Sequence, residues 1–581
     1  MQHRNHMRKA VRLTLLTFHF SLFTSALALM TSCLEETFPT SSVTSGQLEK
    51  SESSLEQQNV GIAASVMKYG SSYSHIGYPA LMLWRDVHCA ELPIYATTYD
   101  YLANSTSYMG EGQLFYDWWY QYYNTIHNAN LLIGMVNPST AQQTTLTYLG
   151  NALGYRAWCY LEASQMWEYK RTGVTVLDER ADNNGIWGLT IPIVTEKTTK
   201  QESHNNPRAP FYTMYRFLHT DLTNARQYLK GYTHSQSNQM DEAAICALSA
   251  RFWMLLGSRF EQSADDLKEQ LRHEADNDGY LPLGITTAAE CYALAADFAQ
   301  QAINQSGTPT TQSQWMDPKQ GFNTAIQSWI LGIEMKTDDN TAESWKNYTS
   351  FLSPEADFGV ANSTYEAYRL CDAMLYGKIC DSDWRKLTWV APSDAGNEEA
   401  ASKYATTLSS SEFAALPALC GLKYHPAGGE RTEYKSGSAV DIPIIRVEEM
   451  YYLLAEAKAH TDGLAAGIEV LNSFNNTWRY TDGSYACTAT TMEELQRELI
   501  LQKRIEFWGE GIVYWDYKRL NLGVTRKYEG SDHPSSYQHN SPDGYCARWW
   551  NFYIPSNEYG YNDAVQQHLN PDPSLTSEME Y

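Results

Sequence analysis

Residues 445–458 read Ile445-Arg446-Val447-Glu448-Glu449-Met450-Tyr451-Tyr452-Leu453-Leu454-Ala455-Glu456-Ala457-Lys458. Met450, Leu453, Leu454 and Ala457 fall at i, i+3, i+4 and i+7, so they line one face of a helix. A loop containing Asp462-Gly463 follows, and a second run extends from Met492 to Trp508. Its apolar residues, Leu495, Leu499, Ile500, Leu501, Ile505, Phe507 and Trp508, cover more than one stripe, as in a helix enclosed on several sides. Glu493 and Arg497 form an i, i+4 pair in the favourable orientation, a surface contribution of only ~0.2–0.5 kcal/mol. Ile444–Leu520 thus predicts helices packed inside a mainly α fold.

Upstream, the same period predicts helices over Asp117–Ile133, which ends before Asn137-Pro138, and over Leu146–Trp167. A Gly/Asn/Pro-rich excursion from Gly173 to Pro210 separates them from a second pair, Phe211–Leu229 and Asp241–Leu256. The latter carries Ala243, Ala244, Ala247 and Ala250, small residues that let neighbouring helices approach. Ala288–Ile303 repeats the theme with Ala293, Ala295, Ala296 and Ala299. Successive helical hairpins with small residues at their contacts predict a tetratricopeptide-like scaffold. Residues 304–440 lose the period and contain Gly307-Thr308-Pro309, Asp317-Pro318, Ser353-Pro354 and Gly428-Gly429. An irregular stretch this long inside a folded chain points to function.

The chain has 581 residues, enough for two or more subdomains. Hydrophobic residues are 43% and charged ones 19%, a globular composition. The formal net charge of −24 excludes nucleic acid as a partner and direct docking on anionic headgroups. Residues 1–32 read as an export signal, with a basic start (Arg4, Arg8, Lys9, Arg12) and an apolar run from Leu13 to Leu29. Leu29-Met30-Thr31-Ser32-Cys33 resembles a bacterial lipobox, which makes Cys33 the expected lipidated residue and the membrane a partner through that anchor. Residues 33–60, rich in Ser, Thr, Glu and Gln, read as a tether.

Arg446, Glu449, Ala455-Glu456-Ala457-Lys458, Arg504, Glu506, Glu510-Gly511, Asp516 and Arg519 resemble the C-terminal signature of the SusD/RagB family. Ile554-Pro555, Glu558, Asn562 and Asn570-Pro571 are similar to that family's closing motif. Trp119, Ile126, Asn130, Arg156, Ala157 and Tyr160 stand where its paired N-terminal helices have matching residues. The resemblance implies an outer-membrane lipoprotein of Bacteroidetes that captures nutrients for a TonB-dependent (SusC-like) transporter. It divides the mature chain into a helical region at 61–303, a loop-rich region at 304–440 on the ligand-facing side, and a signature region at 441–581. The signature charges read as ion pairs and caps within a structural helix pair. The family places an Arg two residues after the Glu-Gly, where this chain has Val513, so Glu510 is expected to lack its usual partner.

Catalytic motifs are missing: there is no H-E-x-x-H, G-x-S-x-G, G-x-x-x-x-G-K-[ST] or G-x-G-x-x-G. None of the ten cysteines forms C-x-x-C, and Cys159, Cys246 and Cys291 lie in apolar helix patterns as core residues. Glu274, Asp276, Asp278 and Gly279 mimic the start of a calcium loop, but Ile285 stands where the bidentate Glu belongs, so a solvated acidic turn is expected. No cofactor and no metal are expected. Sugar rings stack their C–H faces on Tyr or Trp while polar side chains bond the hydroxyls. Two non-helical regions combine these residue types: Tyr95, Tyr99, Tyr101 and Asn104, and then Trp315, Trp345, Asn347 and Tyr348. These are the candidate ligand contacts for an oligosaccharide or polysaccharide. The leading expectation is a non-catalytic, surface-tethered glycan-binding lipoprotein acting as the lid of its transporter. Capture of peptides, a surface glycoside hydrolase and a ligand-free helical scaffold are its rivals.

Overall fold

The structure, a computed structural model, describes residues 52–67, 75–99, 102–103, 113–343 and 345–575. Cys33, the export signal and the first part of the expected tether lie outside the described residues, as do Tyr101 and Asn104. The helices are α1 (Glu52–Ser65), α2 (Tyr78–Cys89), α3 (Gln113–Met135), α4 (Gln143–Trp167), α5 (Phe211–Leu229), α6 (Glu242–Gln262) and α7 (Ala288–Gln305). After a long excursion come α8 (Val447–Asp462), α9 (Leu464–Trp478), α10 (Met492–Glu506) and α11 (Val513–Leu520). The fold is mainly α, as expected. Helix α1 takes the last residues of the expected 33–60 tether, a correction at that boundary. No helix among the described residues is long and apolar enough to cross a membrane.

From α3 to α9 each of these helices packs on the next, so α3–α4, α4–α5, α5–α6, α6–α7, α7–α8 and α8–α9 form one array. Their starts are written locally. Asp241 caps α6 by accepting from Ala244 N at 2.9 Å. Thr287 and Glu290 make a reciprocal capping box on α7, and Thr491 and Glu494 make another on α10. Small residues set the closest crossings. Ala243, Ala244, Ala247 and Ala250 of α6 are buried, as are Ala295, Ala296 and Ala299 of α7, but Ala293 faces solvent. A Cβ on Gly257 would stand 2.7 Å from the Tyr292 ring of the neighbouring helix.

Two short antiparallel ribbons interrupt the helices. β1 (Leu189–Pro192) pairs with β2 (Arg208–Pro210), and β3 (Trp329–Ile333) pairs with β4 (Ile442–Arg446). The second ribbon explains how the irregular region is hung. Helices α7 and α8 are packed neighbours although far apart in sequence, and the segment between them leaves on β3 and returns on β4 in register Ile333 with Ile442 and Trp329 with Arg446.

The signature charges lie beneath this insertion. Glu506 accepts from Arg385 (2.9 Å), Arg446 (3.0 Å) and Arg479 (2.7 Å), and all four side chains are fully buried. Burial alone would raise the Glu506 carboxyl, but Arg479, Arg446 and Arg385 outweigh it and hold the group well below the usual carboxylate range. Val513 offers Glu510 no charge, and the carboxylate pairs instead with Arg446 at 2.8 Å and Lys423 at 2.6 Å. Burial pushes the Lys423 ammonium down to about 8. Arg504 reaches Glu91 of the α2 end at 2.6 Å, and Glu449 holds Arg251 of α6 at 2.6 Å. The Glu-Gly step has a backbone reason as well. Gly511 has φ 68°, and a Cβ there would meet Met82 O at 2.7 Å.

The closing motif fastens the chain's end to its N-terminal half. Asn570 Nδ2 donates to the carbonyls of Trp167 and Phe552, both at 2.7 Å, and its Oδ1 accepts from Arg208 at 2.8 Å. Asn562 exchanges bonds with the backbone of Asn206 and donates to Glu558. Trp167 Nε1 donates to Tyr553 O at 3.0 Å.

Candidate functional site

Two loops distant in sequence meet through backbone bonds. Tyr95 N donates to Tyr368 O at 3.0 Å, Leu370 N donates to Pro93 O at 2.8 Å, and Ile94 and Arg369 form a bridge between them. This short antiparallel contact sets Tyr95 beside Tyr368, with ring centroids 6.1 Å apart. One turn further, Tyr99 stands edge-on to Tyr365 at 5.5 Å and tilted against Trp345 at 6.4 Å. The result is an aromatic patch drawn from 95–99, 345 and 365–368. Tyr95 is 54% exposed and Tyr365 43%, while Tyr99 and Trp345 are half-buried. Tyr368 underlies them, and its burial pushes the phenol up.

Each ring is fixed by its own loop. Asn362 is buried and donates to Gly359 O at 2.7 Å, while its Oδ1 accepts from Thr364 N and Tyr365 N. Glu366 then turns through φ 54°, which aims Tyr365 and Tyr368 from the two sides of the bend. Trp345 sits before a short helix, Tyr348–Leu352, and its carbonyl accepts from Ser350 Oγ at 2.9 Å. The buried Lys346 has its Nζ 5.1 Å from the Trp345 ring and 2.8 Å from the exposed Glu343, whose carboxylate gives the rim a hydrophilic edge.

Of the residues expected to contact ligand, the structure brings Tyr95, Tyr99 and Trp345 together. It places three others in the interior. Trp315 is 2% exposed, donates to Thr388 Oγ1 at 3.1 Å, packs on Phe322 and Trp384, and has Lys423 Nζ 4.8 Å from its ring. Tyr348 is buried with its hydroxyl donating to Gly509 O at 2.8 Å. Asn347 is buried and caps the helix that follows by accepting from Ser350 N at 2.8 Å. These three are structural, because their polar atoms are spent on the interior. Tyr365 and Tyr368 belong to the patch and were not picked out by sequence. The Asn362-x-Thr364-Tyr365 turn is the signal that could have found the first.

The acidic turn at 274–279 is not free in water. Asp278 grips the buried Arg216 guanidinium at 2.8 and 2.5 Å, Asp276 takes His273 at 2.7 Å, and Glu274 accepts from Gln270 at 2.7 Å. The nine described cysteines are unpaired, and Cys159, Cys246 and Cys291 are buried as expected.

The architecture is that of a helical-array protein bearing a long, loop-built face, and known proteins share it. Residues 382–573 match the model of the SusD family. A SusD-like carbohydrate binding protein from Bacteroides vulgatus superposes with a TM-score of 0.66 at 18% identity, over 90% of this chain and 99% of its own. A SusD superfamily protein from Bacteroides thetaiotaomicron gives 0.58 at 16% identity, over 89% and 99%. Another from Bacteroides vulgatus gives 0.61 at 14% identity, over 89% and 98%. No curated relative matches the chain. Residues 382–573 are thus similar to the SusD family, and the fold of the chain is the one these solved structures share.

Proposed function

We propose that this chain is a non-catalytic glycan-binding lipoprotein of the outer cell surface, anchored at Cys33, that serves as the lid of a TonB-dependent, SusC-like transporter. The observation that carries the reading is the patch of Tyr95, Tyr99, Trp345 and Tyr365 over the buried Tyr368, assembled from distant loops, with Tyr95 and Tyr365 open to solvent. Rings set at angles of 49° to 89° present faces in several directions, which suits a curved oligosaccharide better than a single flat sugar. Glu343 and the tyrosine hydroxyls supply partners for sugar hydroxyls at the rim. The description of a solved SusD-like neighbour as a carbohydrate binding protein supports the same reading. The transporter partnership and the surface anchor rest on the family and on the lipobox-like sequence at Cys33.

Affinity electrophoresis of the purified protein against a panel of polysaccharides tests the proposal. Migration is expected to be retarded by at least one glycan, and the retardation is expected to be lost in Tyr99→Ala and Trp345→Ala. A panel with no retardation, or retardation that both variants keep, defeats it; peptide binding in place of glycan binding would move the reading to the first rival.

A further inference from the structure

The loop after α11 returns to the chain segment that carries Tyr368. Tyr528 Oη donates to Asp372 Oδ2 at 2.8 Å and accepts from Met374 N at 3.2 Å. Ala373 N donates to Asp532 Oδ1 at 3.1 Å, and Asp372 Oδ1 accepts from Leu375 N at 2.8 Å. These bonds gather Asp372, Asp532 and His533 so closely that one ligating atom of each lies within 4.8 Å of the others.

The gathered groups satisfy one another only in part. His533 is 5% exposed, and its Nε2 has no hydrogen-bond partner although it stands 3.4 Å from Asp372 Oδ2. Asp532 Oδ2 is likewise buried without a partner. The nearby guanidiniums make their closest contacts elsewhere. Arg504 binds Glu91 at 2.6 Å and is 3.8 Å from Asp372, and Arg526 donates to the carbonyl of Val87. A buried polar atom left unbonded costs about 1–3 kcal/mol, more when it is charged. Here His533 Nε2 and Asp532 Oδ2 are left unbonded beside the Asp372 carboxylate, and a cation would answer both at once.

We propose that Asp372, Asp532 and His533 form a binding site for a divalent first-row transition cation, with Zn2+ as the ion that fits best. Two carboxylates and one imidazole are a mixed oxygen–nitrogen set, which suits Zn2+ or Mn2+, whereas calcium takes oxygen ligands throughout. Three protein ligands leave a further position for water. The ion would staple the Tyr528–His533 loop to the segment Tyr368–Asp372, whose other end supports the aromatic patch. The site is distinct from that patch, and it joins one ligand of the loop-rich region to two of the signature region.

The test uses the purified full chain, stripped with a chelator, loaded with ZnCl2, desalted and measured by elemental analysis. The expected result is one Zn2+ retained per chain and a melting temperature raised by Zn2+. His533→Gln and Asp532→Asn are expected to weaken retention by at least the roughly 10–100-fold that loss of even an outer partner costs a metal site, with the metal-free melting temperature and circular dichroism unchanged. Retention no higher than in a chelated blank, equal retention by both folded variants, or preference for Ca2+ or Mg2+ overturns the proposal. If either variant fails to fold, Co2+ loading of the unmodified chain decides: a visible ligand-field band displaced by Zn2+ upholds the site, and its absence overturns it.

Discussion

The charge network around Glu506 and the aromatic patch around Tyr99 both draw residues from the long insertion, yet they solve opposite problems. In the first, Arg385 of the insertion joins Arg446, Arg479, Glu506 and Glu510 with every side chain out of water. In the second, Tyr95 and Tyr365 keep large apolar surface in water, held only by the turns that carry them. Buried charges with several mutual partners tolerate little change, because removing one strands the others. Exposed rings on self-supporting turns can be exchanged without disturbing the scaffold. Residues of the family-matched segment thus build the first region, and residues free to suit a ligand belong to the second.

The sharpest way to break the comparison is Glu506→Gln. It leaves three guanidiniums short of a carboxylate and is expected to cost about 3–5 kcal/mol in denaturant unfolding; a loss below about 1 kcal/mol would mean that the network is not structurally critical. The same group sets an acid limit. Its carboxyl is held below its ordinary value of 4.5, so its contribution is complete above that pH and is lost as pH falls toward the lowered value. Urea midpoints should therefore drop below about pH 4.5, and the drop should be shallower in Glu506→Gln. Trp315→Ala should cost a similar ~3–5 kcal/mol with no selective effect on glycan binding, since the ring lies in the core. Gly511→Ala comes next, at about 1–3 kcal/mol or more from the positive φ and the contact with Met82. Tyr365→Ala should move stability by no more than ~0.5 kcal/mol while weakening polysaccharide binding about tenfold, some 1.4 kcal/mol. Measuring both quantities on the last variant sharpens the contrast most.

The sequence exposes the first region far better than the second. Helical period and capping pairs are local signals, so α4, α5, α7 and α10 could be read from Leu146, Phe211, Thr287 and Thr491 onward. Helix α9 escaped because Gly463, Gly467 and the Asn475-Asn476 pair weaken its pattern. Gly467 is there for packing, since a Cβ would stand 2.5 Å from Ala455 O. In the loops the same residue types serve both core and surface. Trp315 and Trp345 look alike in sequence, and only the distant Thr388 and Trp384 decide that the first is enclosed. The bridge between Ile94 and Arg369, which brings the two loops together, has no local signature at all.

Chain order is also the order of synthesis, and that gives the closing motif a second meaning. Arg208 Nη1 bonds His568 O and Asn570 Oδ1, and Trp167 Nε1 bonds Tyr553 O, so donors made early wait for acceptors made last. Contacts spanning nearly 400 residues delay folding because the loop between them must close first. The helical array therefore lacks one of its side-chain bonds until Tyr553 has been made. It becomes final only when the last residues of the clasp, at Asn570, have joined it.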